Sequence, residues 1–217
     1  MSQTVYCISG LGADEQIFSN LQLPGYELRC LQWLQPEPGE LFADYAKRMY
    51  AQIADANPIL LGVSFGGMLG IEIAKQFPVK KIILVSSVKK RIEMPWWMRL
   101  AGKLKLHHLV KARPHPLLYP IENYFLGVKQ KKEVKLAIHF RKTVDRDYLQ
   151  WAIHNIVTYN NVTIPPNILH IHGTTDKLFP LRNVTAHYHI KGGGHFMVYN
   201  RAEEISRILC RELQTVK

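Results

Sequence analysis

The 217-residue sequence lacks the features that would place it in a membrane, in a secretory pathway or among disordered proteins. It has no run of the roughly 20 uninterrupted apolar residues that a membrane-spanning helix needs. Its start, MSQT, carries no basic flank before the apolar VYCI, so we predict a first strand there and not a signal peptide. Charged residues make up 21% and apolar residues 47%, which excludes a disordered chain and favours one globular domain with a full core.

Cysteine is scarce. Cys7, Cys30 and Cys210 are an odd number, and their spacing fits no metal site. Two of them lie in β-rich runs and one on an apolar helical face, so we predict buried, reduced thiols. Such thiols indicate a cytoplasmic protein.

Acidic residues are few in one part of the chain. Residues 89–146 contain 15 Lys and Arg but only 4 Asp and Glu, a net charge of +11. The rest of the chain contains 13 of each kind, so this one segment carries the whole net charge of the protein. A charge asymmetry of this size calls for its own explanation.

Strand-like and helix-like stretches alternate over the first 88 residues. Apolar residues four apart predict a helix over 40–56, and another helix is predicted over 66–77. The predicted strands of this part cover residues 4–9, 26–34, 59–63 and 81–86. This βαβ order predicts an α/β fold with a mainly parallel β-sheet flanked by helices.

The alternation stops after residue 88 and resumes near residue 168. Prolines divide residues 89–158 into pieces that look helical, and strands are again predicted over 168–172 and 185–190. We therefore predict a core formed by residues 1–88 and 159–217, interrupted by a helical, basic cap over 89–158.

A serine stands at the junction of a predicted strand and a predicted helix, in the sequence GVSFGG over residues 62–67. A serine on such a sharp turn takes a strained backbone conformation, and side chains at the flanking glycine positions would clash. The turn presents the hydroxyl of Ser64 at the carboxyl edge of the sheet, beside the N-terminus of the helix. We predict that Ser64 is a nucleophile.

A serine hydroxyl needs a base, and the base needs an orienting acid. Asp176 follows the strand at 168–172, and His195 follows the next strand in a glycine-rich loop. The order Ser, Asp, His, each after its own strand, is specific for one catalytic arrangement. We predict His195 as the base, Asp176 as its partner, and the backbone N–H groups of Leu11 and Phe65 as the oxyanion hole.

With GVSFGG, HGTTDKLFP and GGGHF in this order, the sequence resembles the α/β-hydrolase family, in particular its compact single-domain, esterase-like members. The resemblance covers nearly the whole chain outside 89–158. It implies the roles given above for Ser64, Asp176 and His195, and it implies that the insertion is a cap over the active site. The chain departs from the family at Ser9, before Gly10, where the family often has His.

These residues predict a serine hydrolase that cleaves a carboxylic ester or thioester of a small to medium apolar acyl group through an acyl-enzyme on Ser64. The expected partner is a small-molecule ester or thioester, and no metal or organic cofactor is implied. Two alternatives stay open because a fold does not fix a reaction. One is C–C lyase or other triad chemistry, and the other is a non-catalytic small-molecule binding protein with a residual triad.

Three interpretations of the basic segment 89–146 also stay open. In the first, its lysines face water and its apolar side chains line the acyl pocket, namely Trp96, Trp97, Leu100, Leu104, Tyr119, Tyr124 and Phe125. In the second, its charge attracts anionic substrates. In the third, it makes weak contact with an anionic membrane surface. We expect no nucleic-acid binding, since no known motif accompanies the charge.

Overall fold

A computed structural model describes residues 3–109 and 116–214. Six strands form one sheet: β1 Gln3–Ile8, β2 Tyr26–Cys30, β3 Ile59–Val63, β4 Lys81–Val85, β5 Ile168–Gly173 and β6 Tyr188–Ile190. The α-helices are α1 Phe42–Tyr50, α2 Phe65–Ala74, α3 Trp96–Lys103, α4 Tyr119–Leu126, α5 Lys131–Thr143, α6 Arg146–Val157, α7 Met197–Asn200 and α8 Ala202–Gln214.

The strands are all parallel and lie in the order β2-β1-β3-β4-β5-β6. The chain passes from β1 to β2 on one side of β1 and then returns to β3 on the other side. The loops that follow β1 and β3 therefore diverge, and this opens a crevice at the carboxyl edge of the sheet. The predicted fold class, an α/β protein with a parallel sheet flanked by helices, is confirmed.

Alternate side chains of the strands pack on opposite faces of the sheet, as strand geometry requires. In β1, Val5 and Cys7 belong to the apolar cluster that α8 covers. Tyr6 and Ile8 belong to the cluster that α1 and α2 cover. Because both faces are covered, all five residues of β3 are buried.

Several element boundaries differ from the predictions. The helix predicted over 40–56 ends at Tyr50, where the chain continues in turns. The second strand ends at Cys30, and the Leu34 N–H beyond it donates to the Tyr45 hydroxyl. At both places, local contacts end the helix or the strand earlier than the apolar sequence pattern predicts.

Between β4 and β5 the described residues form helices and turns without a strand. α6 begins at a side-chain cap, because Asp145 accepts hydrogen bonds from the backbone N–H groups of Asp147 and Tyr148. Residues 110–115, which belong to the predicted cap, lie outside the described residues. Among the helices of 3–109 and 116–214, none has the length and apolar character needed to cross a bilayer.

The cysteines only partly match the prediction of buried thiols. All three are free, but only Cys7 is buried, whereas Cys30 and Cys210 are half-buried. Cys7 lies opposite Cys30 in the pairing of β1 with β2. A hydrogen bond with Cys30, together with burial, raises the pKa of the Cys7 thiol.

Candidate active site

Ser64 occupies the turn between β3 and α2 in a strained conformation. Its φ of 52° and ψ of −116° are unfavourable for a residue with a side chain. Two hydrogen bonds hold it there: the Ser64 N–H donates to the Val85 carbonyl at 3.0 Å, and the Ser87 hydroxyl donates to the Ser64 carbonyl at 2.7 Å. β4 and the residues after it therefore fix the position of the serine.

The glycines that flank Ser64 stand where the backbone leaves no room for a side chain. A Cβ atom at Gly62 would lie 2.5 Å from the Cα of Gly67. A Cβ atom at Gly66 would overlap the carbonyl oxygens of Ile8 and Ser9 at the end of β1. This is the steric reason for glycine at both positions that the sequence pattern requires.

The structure brings the three predicted side chains together in one hydrogen-bonded chain. His195 Nδ1 lies 2.9 Å from Asp176 Oδ2, and His195 Nε2 lies 2.9 Å from Ser64 Oγ. Because the carboxylate can only accept at Nδ1, the proton of the neutral imidazole lies on Nδ1 and Nε2 is free to accept from the serine hydroxyl. All three residues are buried.

The carboxyl group of Asp176 is fixed from two sides. Its Oδ1 accepts from the backbone N–H groups of Leu178 and Phe179, both at 2.9 Å. Its Oδ2 faces His195 and also lies 3.6 Å from His172 Nε2. With one oxygen held by the loop, the other oxygen points at the imidazole in a single orientation.

The loop after β1 lies against the nucleophile. Gly10 and Leu11 line the same cavity as Ser64, and a Cβ atom at Gly10 would lie 3.5 Å from the Cβ of Ser64. Within residues 3–109 and 116–214, neither the Leu11 N–H nor the Phe65 N–H has a hydrogen-bond partner. Two unpaired donors beside a serine hydroxyl suit an oxyanion.

Ser9, the position at which the chain departs from the family pattern, organises this loop. Its hydroxyl donates to the Ala13 carbonyl at 2.6 Å and accepts from Trp33 Nε1 at 2.8 Å. The serine thus ties the two ends of the loop together and links them to the segment after β2.

The sequence did not predict a buried series of hydrogen bonds that lies behind Asp176. Lys89 Nζ lies 3.0 Å from His170 Nδ1, His170 Nε2 lies 3.3 Å from His172 Nδ1, and His172 Nε2 lies 2.8 Å from the Phe179 carbonyl. Lys89 is also paired with Glu93 at 2.9 Å. With Lys89 as the first donor, each neutral imidazole accepts at Nδ1 and donates at Nε2.

The pKa values of these histidines follow from burial. Burial, and next the charge of Lys89, hold the pKa of His170 well below its usual value. Burial also lowers the pKa of His172, although Asp176 opposes the shift. The one available sequence signal was the alternation ILHIH in β5, which places both histidines on the same face of the sheet.

An apolar cavity of about 480 Å³ opens above Ser64 and His195. The loop after β1 forms one wall, and α3 to α6 form much of the rest through side chains such as Met98, Ile121, Phe140 and Leu149. Among the residues that the structure describes, two charged ones line it, Glu122 and Arg141, and they pair with each other at 2.7 Å. Within the described lining, the charges of Glu122 and Arg141 therefore compensate each other.

Most of the aromatic and aliphatic side chains that we expected to line this pocket do not. Of the seven, only Trp97 and Phe125 line the cavity. Trp96, Leu100, Leu104 and Tyr124 are exposed to solvent. The lysines of the segment are not all in water either, because Lys89 is buried in its pair with Glu93. An apolar pattern identifies a helix but does not say which face is covered.

No protein-family model matches the sequence, and no curated protein matches it. Solved structures do share its architecture. An esterase from Thermogutta terrifontis is similar over 99% of this chain and 90% of its own, with a TM-score of 0.78 and 14% identity. A bromoperoxidase from Bacillus anthracis is similar over 99% and 92%, with a TM-score of 0.72 and 16% identity.

A membrane phospholipase A is similar over 99% of this chain and 79% of its own, with a TM-score of 0.71 and 16% identity. These structures carry α/β-hydrolase folds, and the chain shares their parallel sheet flanked by helices. The chain therefore has the α/β-hydrolase fold.

Proposed function

We propose that the protein is a serine hydrolase that cleaves a carboxylic ester or thioester of a small to medium apolar acyl group. The observation that carries the proposal is the hydrogen-bonded chain from Ser64 through His195 to Asp176 at an apolar cavity. The strained turn at Ser64 supports it, because backbone strain is found most often at active sites.

In the proposed first step, Ser64 Oγ attacks the carbonyl carbon of the substrate, and His195 Nε2 takes the hydroxyl proton. Asp176 keeps the imidazole in the required tautomer and stabilises the imidazolium. The carbonyl oxygen gains the negative charge and accepts hydrogen bonds from the Leu11 and Phe65 N–H groups, which are otherwise unpaired in the described part of the chain.

The tetrahedral intermediate then collapses. The bond to the alcohol or thiol breaks, and the leaving group takes the proton from His195, which leaves an acyl ester on Ser64. A water molecule, deprotonated by His195, attacks this ester, and the carboxylic acid leaves as the proton returns to the serine. Atoms and charges balance without a cofactor.

The cavity supports an apolar acyl group as the bound portion. Its volume of about 480 Å³ is within the range of small-molecule sites, and its charged pair Glu122–Arg141 is internally neutral. We further propose that α3 to α6 act as a cap, since they supply most of the cavity wall. The free thiols support the expected cytoplasmic location.

The first test is ester hydrolysis by paired serine variants. We expect Ser64→Ala to lower kcat on p-nitrophenyl esters of two to eight carbons by at least about 10³-fold, since the nucleophile is removed. Ser86→Ala is the matched control: Ser86 is also buried and has a φ of 49°, but it follows β4. Equal activity of the two variants would contradict the proposal.

A further inference from the structure

α3 exposes the apolar side that a helix normally buries. Trp96 is 68% exposed and Trp97 46%, Leu100 on the same side is also exposed, and Leu104, which follows the last residue of the helix, is 56% exposed. The opposite side is the covered one, where Met98 and Gly102 are buried. A Cβ atom at Gly102 would collide with the Val157 backbone of α6, so α3 cannot turn its tryptophans inward without losing this contact.

α4 adds to the same surface. Ile121 and Tyr124 are each more than half exposed. Trp97 of α3 and Ile121 and Phe125 of α4 are exposed and also line the cavity above Ser64. The exposed apolar side chains of α3 and α4, named here the cap patch, therefore border the opening of the cavity.

Basic residues lie beside the cap patch. Lys103 and Lys105 are exposed next to Leu104. The patch lies within residues 89–146, the segment that carries the whole net charge of +11. Exposed tryptophan and leucine beside lysine is the composition of a helix that lies in the interface of an anionic bilayer.

We propose that the cap patch docks on an anionic lipid membrane. Its tryptophans and leucines enter the region between headgroups and acyl chains, and its lysines contact the lipid phosphates. A second copy of the chain is disfavoured as the occupant, because it would bring another patch from a segment with the same excess of positive charge. An acidic protein would satisfy the charge, but the lipid interface also matches two adjacent tryptophans.

This docking assigns a substrate class, and that assignment rests on the proposed function. With the patch in the interface, the cavity opening faces the lipid, and an acyl chain could pass from the bilayer to Ser64 without crossing water. The preferred substrates are then esters that partition into membranes. The membrane contact itself depends only on the patch and its charge.

The test is co-sedimentation of the full chain with vesicles. We expect binding to phosphatidylcholine vesicles that contain phosphatidylglycerol, little binding to pure phosphatidylcholine, and weakening as salt is raised. Trp96→Ala with Leu100→Ala should weaken binding at least about tenfold. Lys103→Glu with Lys105→Glu should weaken it at least about 25-fold, since one basic residue contributes about a fivefold factor.

Two controls separate the patch from general surface effects. Leu41→Ala removes an aliphatic side chain that is 68% exposed at the start of α1, and Arg207→Glu reverses an exposed charge on α8. Both should bind vesicles as the wild type does. Thermal melts check that each patch variant is folded, which we expect because the replaced side chains are exposed.

Three outcomes would overturn the proposal. The first is that the wild type does not sediment with anionic vesicles at low salt, and the second is that the patch variants sediment as well as the wild type. The third is that the wild type self-associates in light scattering and does not bind vesicles, while the patch variants do not self-associate. Binding to polyglutamate without binding to vesicles would point to an acidic protein instead. Ser64→Ala should sediment with vesicles as the wild type does, because membrane contact does not involve Ser64. A wild-type protein that binds vesicles but does not hydrolyse esters would refute only the proposed function.

Discussion

At the scale of single residues, the position of Asp176 is the most informative. One carboxylate oxygen is held by the N–H groups of Leu178 and Phe179, and the other faces His195. An amide in its place could keep the first contact through its oxygen, but it would present an N–H donor to His195 Nδ1. The imidazole would then have to accept at Nδ1, and Nε2 could no longer accept the serine proton.

We therefore expect Asp176→Asn to lower kcat by about 10³- to 10⁴-fold with a small change in KM. Steady-state ester hydrolysis measures both constants. Asp55→Asn, at an exposed position away from the site, is the control for loss of one negative charge. Wild-type kcat in Asp176→Asn would mean that the carboxylate does not orient the base.

The buried histidines behind Asp176 predict a pH dependence of stability. Burial lowers the pKa of His170 and His172, so both stay neutral in the folded protein at a pH where they take up protons in the unfolded chain. Below the ordinary histidine value of about 6.5 the unfolded state binds more protons, and the free energy of unfolding falls as pH falls.

Chemical denaturation between about pH 7 and about pH 5 measures this effect. Each buried histidine contributes a slope of up to about 1.4 kcal/mol per pH unit, so His172→Gln should give a shallower decline than the wild type. His189→Gln, which removes an exposed histidine from β6, should not. An unchanged slope in His172→Gln would show that His172 does not link protonation to folding.

At the scale of elements, the β3–α2 turn is held in place because α2 packs directly against the end of β1. The contact is made through Gly66, where an added methyl group would overlap the carbonyl oxygens of Ile8 and Ser9. Four residues later, Gly70 in the same helix has room, with its nearest neighbours 3.8 to 4.0 Å from an added Cβ. Close packing therefore requires glycine at position 66 but not at position 70.

We expect Gly66→Ala to lower the free energy of unfolding by about 3 kcal/mol or more, because backbone atoms must move. Gly70→Ala should raise it by about 0.5 to 1 kcal/mol, since alanine favours the helix and fits the space. Urea denaturation of both variants compares them in one host helix. Similar effects of the two substitutions would refute the packing described here.

The elements also show what the sequence could and could not predict. β3 was predicted to the residue, because an apolar run bounded by Pro58 and Ser64 leaves little choice. That Ser64, Asp176 and His195 lie together could be predicted because each follows its own strand. The hydrogen-bonded series Lys89–His170–His172 was not predicted, because Lys89 lies far from the two histidines in the sequence. The outward face of α3 was missed because periodicity does not show which side has a partner.

At the scale of the whole molecule, the strand order reverses between β1 and β3, and helices between β4 and β5 line the cavity above Ser64. The same fold occurs in an esterase, a bromoperoxidase and a membrane phospholipase, so the fold alone does not choose a reaction. That choice depends on whether Ser64 is an activated nucleophile.

Labelling with a fluorophosphonate, followed by intact-protein mass spectrometry, tests this claim most directly. We predict one stoichiometric adduct on the wild type at neutral pH, located on Ser64 by peptide mapping. The adduct should be absent from Ser64→Ala and form far more slowly in His195→Ala. A wild-type protein that forms no adduct at neutral pH, or forms it equally after Ser64→Ala, would contradict the account.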